Sequence, residues 1–181
     1  DSNERIWIGS NDSGVTLMDG MDFTTFNKSN GLSSLYVRAI TEDCEGNIIL
    51  ATTDGLAYID SDLSLHKIDT TILGDTYILN LSTVTGEIIY GVTRDGSIFT
   101  IKNQRIDMYY DAETMGINDI HCIVADPNNE NHLYVGTNGS EIYHVYVSYS
   151  FEIKETYNIS PYSYTNAIHV IDDTLWICTD V

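Results

Sequence analysis

Basic side chains are scarce in this sequence: eight lysines and arginines stand against 27 aspartates and glutamates in 181 residues, a formal charge of −19. A surface that negative repels phosphate backbones and anionic headgroups, so nucleic acid is not expected as a partner. Sugars, peptides, cations and basic protein patches remain. Cysteine is sparse as well. Cys44, Cys122 and Cys178 are odd in number and form no Cys-x-x-Cys pair, which argues against a disulfide framework and against a zinc site. The histidines (His66, His121, His132, His144 and His169) are dispersed without metal-ligand spacing, so neither a metal nor a cofactor is expected. Proline occurs only twice, and no apolar run approaches the roughly 20 residues of a membrane-spanning helix. The opening Asp1-Ser2-Asn3-Glu4-Arg5 has no signal-peptide character, so an exported protein would carry its leader outside this sequence.

What is abundant is strand-forming: 43% of residues are apolar, thirteen are Tyr, and Thr, Ile and Val are frequent. Such side chains pack well on a pleated, half-buried surface, so the chain reads as all-β. One pattern organises it. Ile6-Trp7-Ile8-Gly9-Ser10 returns as Ile48-Ile49-Leu50-Ala51-Thr52, Ile88-Ile89-Tyr90-Gly91-Val92, Leu133-Tyr134-Val135-Gly136-Thr137 and Leu175-Trp176-Ile177-Cys178-Thr179. Aligned on the small residue, the copies are 42, 40, 45 and 42 residues apart. A period of about 40–45 residues built from short strands is that of β-propeller blades, each a four-stranded antiparallel meander. Asp54-Gly55, Asp95-Gly96 and Asn138-Gly139 each mark a tight turn just after the repeated strand.

The units fall at about 5–36, 37–76, 77–118 and 119–165, with the start of another at 166–181. Within 37–76, for example, strands are expected at 37–41, 48–52, 56–59 and 64–68. The chain opens and closes on a second strand, so about four repeats are present and the expectation is a segment of a larger propeller, or one that closes as a homodimer. Trp7 and Trp176 share one slot of the repeated strand and are expected to pack between blades, with Cys178 a core thiol.

Residues 31–49, Gly-Leu-Ser-Ser-Leu-Tyr-Val-Arg-Ala-Ile-Thr-Glu-Asp-Cys-Glu-Gly-Asn-Ile-Ile, together with Ile6-Trp7-Ile8-Gly9-Ser10 and Asp54-Gly55-Leu56, resemble the two-component regulator propeller repeat. The match is close over residues 5 to about 60 and then fades: Ile49, Ile89 and Tyr134 replace the Trp, and the later units lack Gly-Leu-Ser-Ser. The resemblance implies an extracytoplasmic sensor region of a bacterial membrane-anchored signalling protein. There the remaining blades and downstream signalling domains, a kinase or cyclase output among them, would be partners. It also implies ligand sensing, often of carbohydrate fragments, without catalysis in the domain itself.

In a propeller the loops entering the innermost strand and those leaving the second strand emerge on one face, where sites gather. The residues there suited to stacking on a sugar ring and bonding its hydroxyls are Tyr36, Arg38, Asp75, Tyr77, Arg94, Asn118, Asp119, Tyr164 and Asn166. An oligosaccharide or other small ligand is therefore the expected occupant. A protein-interaction scaffold with no small ligand is the alternative. A glycoside hydrolase is a third reading, with no positive support. Some pair among 27 acidic residues always has a suitable separation, and Ser10-Asn11-Asp12-Ser13-Gly14-Val15-Thr16-Leu17, which fits the loose Asp-box pattern, is a folding element.

Overall fold

A computed structural model describes residues 1–159, 164–172 and 174–180. Asp173, the middle of an expected turn, and residues 160–163 and 181, which fall in the last two expected units, lie outside them. The chain forms five antiparallel sheets in sequence order. The first holds β1 (Ile6–Gly9), β2 (Val15–Asp19) and β3 (Asp22–Phe26). The second holds β4 (Val37–Glu42), β5 (Ile48–Thr52), β6 (Gly55–Ile59) and β7 (Leu65–Ile68). In the third are β8 (Ile78–Ser82), β9 (Ile89–Thr93), β10 (Ile98–Lys102) and β11 (Arg105–Tyr110), followed by the single-turn helix α1 (Ala112–Met115). The fourth holds β12 (His132's partner strand, Ile120–Ala125), β13 (His132–Thr137), β14 (Glu141–Val147) and β15 (Phe151–Asn158), and the fifth holds β16 (Thr165–Ile171) and β17 (Thr174–Thr179). Strands within each sheet pair in chain order, and neighbouring sheets meet along their first strands β4, β8, β12 and β16. These are propeller blades.

The stacking explains why the repeated strand reads as a continuous apolar run. Every residue of β5 and β9 is buried, because a blade covers each face. Side chains alternate. Ile48 and Leu50 join Val15, Leu17 and Phe26 of the first blade, whereas Ile49 and Ala51 join Ile78, Ile89, Phe99 and Ile101 of the third. Tyr90, Val92 and Ile98 then meet Ile123, Leu133, Val135 and Val145 of the fourth. Each such aliphatic side chain contributes about 2 kcal/mol through the apolar surface it removes from water.

This alternation corrects one register. The copy at Ile88-Ile89-Tyr90-Gly91-Val92 is displaced by one residue: Val92, not Gly91, is equivalent to Ala51, since Tyr90 and Val92 face the following blade as Ile49 and Ala51 do. A hydroxyl marks the true register. Ser10 Oγ donates to the Gly14 carbonyl at 3.1 Å, Thr52 Oγ1 to Gly55 at 2.9 Å, Thr93 Oγ1 to Ser97 at 3.1 Å and Thr137 Oγ1 to Glu141 at 2.9 Å. The same oxygen accepts the N–H of a turn residue in three of these, Ser13 at 2.8 Å, Asp54 at 3.0 Å and Gly139 at 3.2 Å. Thr52→Val keeps the shape but removes the hydroxyl's bonds to the Gly55 carbonyl and the Asp54 N–H. It is expected to cost about 1–2 kcal/mol in urea denaturation with the m-value unchanged.

Trp7 and Trp176 do not share an environment. Trp7 packs on Phe26 with ring centroids 5.9 Å apart, faces the second blade, and donates its indole N–H to Asp1 at 2.7 Å. Trp176 is 60% exposed and Cys178 is also exposed, so neither is packed between blades as the repeat suggested. The reason is parity: Leu175 and Ile177 lie on the fourth blade, which leaves Trp176 and Cys178 on the open face of the fifth sheet. Cys122 is the buried thiol instead, and burial pushes it up to about 11. At the opposite end of the array Ile6 and Ile8 are half exposed.

Candidate ligand-binding rim

The nine expected site residues lie at one end of the strands, and backbone hydrogen bonds set three of them in equivalent places. The N–H that follows the turn hydroxyl donates to the residue that precedes the innermost strand: Thr53 to the Tyr36 carbonyl at 3.2 Å, Arg94 to Tyr77 at 2.8 Å and Asn138 to Asp119 at 2.9 Å. In the fifth sheet Tyr164 precedes the innermost strand in the same way, but its tie is a different one, its N–H donating to the Asp180 carboxylate at 3.0 Å. The rim is tied across blades too, by Gly14 N–H to Leu35 at 3.1 Å and Gly55 N–H to Thr76 at 2.8 Å. Tyr36 and Tyr164 stand 54% and 52% exposed, so their rings are free to be covered by a ligand.

Three expected residues converge in the third blade. The Asp75 carboxylate caps its own turn by accepting the Tyr77 N–H at 2.9 Å. Its other oxygen accepts Arg94 Nε at 3.1 Å and lies 3.0 Å from the terminal guanidinium nitrogen. The guanidinium carbon sits 5.1 Å from the centre of the Tyr77 ring. The result is a fixed aromatic face, a guanidinium with unused donors and a carboxylate, the set needed to stack on a pyranose and bond its hydroxyls. In the second blade Ser34 replaces Asp75: its hydroxyl accepts the Tyr36 N–H at 3.1 Å and meets Thr53 Oγ1 at 2.8 Å. No hydrogen bond or ion pair among the described residues joins Tyr36, Arg38, Asn118, Asp119, Tyr164 or Asn166 to the Asp75–Tyr77–Arg94 group.

Arg38 and Asn166 have a common origin. The pairing of every innermost strand slips by one residue near its start, between Val37 and Ala39, Ile78 and Asn80, Ile120 and Cys122, and Thr165 and Ala167. The extra residue of each bulge is Arg38, Leu79, His121 or Asn166. Bulges re-aim a side chain, so His121 belongs with Arg38 and Asn166 on this inner edge, a place its dispersed sequence position did not reveal.

Asp95, adjacent in the turn, is spoken for. Burial would raise its carboxyl, but the Thr93 hydroxyl and the Ser97 N–H outweigh this and hold it below the usual carboxylate range. Arg94 is mostly exposed, and an exposed ion pair is worth little. Arg94→Ala is therefore expected to shift stability by less than about 0.5 kcal/mol in urea denaturation, leaving any effect on ligand binding interpretable.

Sequence reasoning also missed a group at the opposite end of the strands. Asp126, 4% exposed, accepts the Asn128 N–H and the Asn129 amide, each at 2.9 Å, and lies 3.2 Å from His144 Nε2. That nitrogen is also 3.2 Å from His132 Nδ1. Tyr134 stacks on His144 at 4.5 Å. Cross-strand pairing brings these together, Tyr134 opposite His144 and His132 opposite Tyr146. Among the described residues no group of three His, Cys, Asp or Glu side chains is arranged to hold a metal ion, and no helix is long and apolar enough to cross a membrane.

No protein-family model matches the chain, and no curated protein matches it in sequence. Solved structures do resemble it. The extracellular domain of BT4673, described as a hybrid two component system of B. thetaiotaomicron, superposes with a TM-score of 0.78 at 14% identity over 99% of this chain and 25% of its own. The corresponding domain of BT3049 from the same organism gives 0.69 at 19% identity over 98% of this chain and 24% of its own. A virginiamycin B lyase from Staphylococcus aureus, solved with quinupristin, gives 0.73 at 16% identity over 96% of this chain and 59% of its own. The fold is thus shared with extracellular domains of two component systems and with an enzyme, and the chain spans about a quarter of the length of the two Bacteroides domains.

Proposed function

We propose that the chain is part of an extracytoplasmic β-propeller sensor domain of a membrane-anchored signalling protein. In this reading it binds a small ligand, an oligosaccharide being the best fit, on the rim formed by Tyr36, Arg38, Asp75, Tyr77, Arg94, Asn118, Asp119, Tyr164 and Asn166. The observation that carries it is the repetition of one rim place as Tyr36, Tyr77, Asp119 and Tyr164, beside the Asp75–Arg94 pair that steadies Tyr77. The likeness to extracellular domains of two component systems supports the sensor role. Asp75 is engaged by Arg94 and its own turn rather than poised as an acid or base, so binding without catalysis fits the rim best. Ligand held between blades would alter their packing, and that shift would pass to the remaining blades and downstream domains.

The exposed apolar ends favour a second reading alongside the first. Ile6 and Ile8 at one end, and Ile171 and Trp176 at the other, suit further blades of a parent protein or a second copy of this chain. Light scattering and thermal melts of the chain, with and without a panel of oligosaccharides, test both. A glycan-dependent rise in melting temperature that Tyr77→Ala/Arg94→Ala abolishes supports the rim. A dimer dissociated by Trp176→Glu supports association through the open ends. The absence of any glycan response in a chain joined to its full set of blades overturns the ligand reading in favour of a protein-interaction scaffold.

A further inference from the structure

The gaps between blades at the end opposite the rim are not alike. Between the second and third blades the Cys44 N–H donates to the Gly86 carbonyl at 3.1 Å, and Gln104 Nε2 reaches Asp43 at 2.6 Å and Glu45 at 3.3 Å. Only about 10 Å³ of space is left there. Between the third and fourth blades the longer turn from Asp126 to Asn131 stands off, and a cavity of about 360 Å³ opens between the two blades. None of the nine rim residues lines it.

Its walls have a definite chemistry. Val84, Ile88, Tyr90 and Pro127 supply apolar surface, while Glu87 from the third blade and Glu130 from the fourth supply carboxylates. Both glutamates are exposed, and neither is in an ion pair among the described residues. No lysine or arginine is among the residues that line the cavity. Burial, then His144, holds His132 at the edge of the cavity below the usual histidine range and hence neutral, and Lys154 is bonded to Glu152 at 2.6 Å. Asp126 is already satisfied by Asn128, Asn129 and His144. The negative field reaches the cavity wall: burial first and Glu130 second push the Tyr90 phenol up to about 12.

We propose that this inter-blade cavity binds an organic cation, an alkylammonium group whose short aliphatic body rests on Val84, Ile88, Tyr90 and Pro127 while its charged head lies between Glu87 and Glu130. The volume suits a small organic molecule and far exceeds what a bare ion fills. An acidic lip over an apolar floor selects charge and shape together, because neither alone is worth much at a partly exposed site. The site is independent of the rim, so it stands or falls separately from the sugar reading.

NMR titration of the whole chain with butylammonium chloride, against n-butanol and matched sodium chloride, tests it. The expected result is saturable shifts at Ile88 and Tyr90, at least tenfold weaker for butanol, with Glu87→Gln/Glu130→Gln weakening butylammonium about tenfold while the fold stays intact by amide spectrum. Equal binding of butanol, shifts confined to other parts of the chain, no saturable response, or indifference to the double substitution would each overturn it.

Discussion

Gly91→Ala is expected to destabilise the chain by about 3 kcal/mol or more, although it adds only a methyl group in a backbone conformation open to any residue. A Cβ at this position would lie 2.1, 2.5 and 2.7 Å from three atoms of the Phe99 ring. The two residues are directly paired across β9 and β10, and Phe99 is fully buried among Ile49, Leu56, Ile68, Leu73 and Ile101. The ring therefore has nowhere to swing. For a chain of this length such a loss lowers the melting temperature by about 6–12 °C. Phe99→Leu alone opens space and costs roughly 1–2 kcal/mol. In Gly91→Ala/Phe99→Leu the added methyl enters that space, so the double variant should be at least about 1 kcal/mol more stable than the sum of the singles predicts. Additive losses in the thermal melts would show that the ring does not rest on Gly91.

Phe99 also shows what a linear reading misses. The repeat, the hairpin turns and every strand of the three complete blades were legible, because period-two alternation and Asp-Gly turns are local signals. The off-by-one register in the third blade came from anchoring on small residues. Gly9 and Gly136 are small because the next blade approaches them: a Cβ would lie 3.0 Å from Val37 on Gly9 and 2.6 Å from Thr165 on Gly136. Gly91 is small for a different reason, the ring of its own neighbouring strand. The hydroxyls Ser10, Thr52, Thr93, Thr137 and Thr179, spaced 42, 41, 44 and 42 apart, carry the register instead.

The candidate rim divides the same way. The loops that carry it could be named from strand order, and so could its residues, but the ion pair of Arg94 with Asp75, nineteen residues earlier, depends on how two loops close against each other. The bulge that gives His121 the place in its blade that Arg38 and Asn166 hold in theirs is invisible without the pairing of the first two strands. Trp176 and Cys178 were misjudged for want of a covering blade, since a repeat position fixes which way a side chain points but not whether anything lies there. His132, His144 and Asp126 form a group only because a hairpin register and a turn fold them together, with no spacing in sequence to suggest it.

Asp126→Ala is expected to cost about 3 kcal/mol in urea denaturation, since it removes a buried carboxylate while leaving the Asn128 N–H, the Asn129 amide and His144 without their acceptor. The acid response separates Asp126 from His132. Burial raises the Asp126 carboxyl, but Asn128, Asn129 and His144 together outweigh that and hold it below 3.8 in the fold. A depressed carboxyl stabilises the fold above its unfolded value, and that contribution fades as pH drops through the lower folded value, so the loss falls below about pH 4. His132 acts earlier. Burial, then His144, lowers it from 6.5, so the unfolded chain takes the proton first, and stability declines as pH falls below about 6.5 until the folded ring also protonates. His132→Gln should flatten the decline between about pH 6.5 and 5 and leave the acid limb alone, whereas Asp126→Asn should flatten the limb below about pH 4. Urea midpoints at three pH values spanning those windows distinguish them. A decline that neither variant alters would assign the acid sensitivity to other carboxylates of this highly acidic chain.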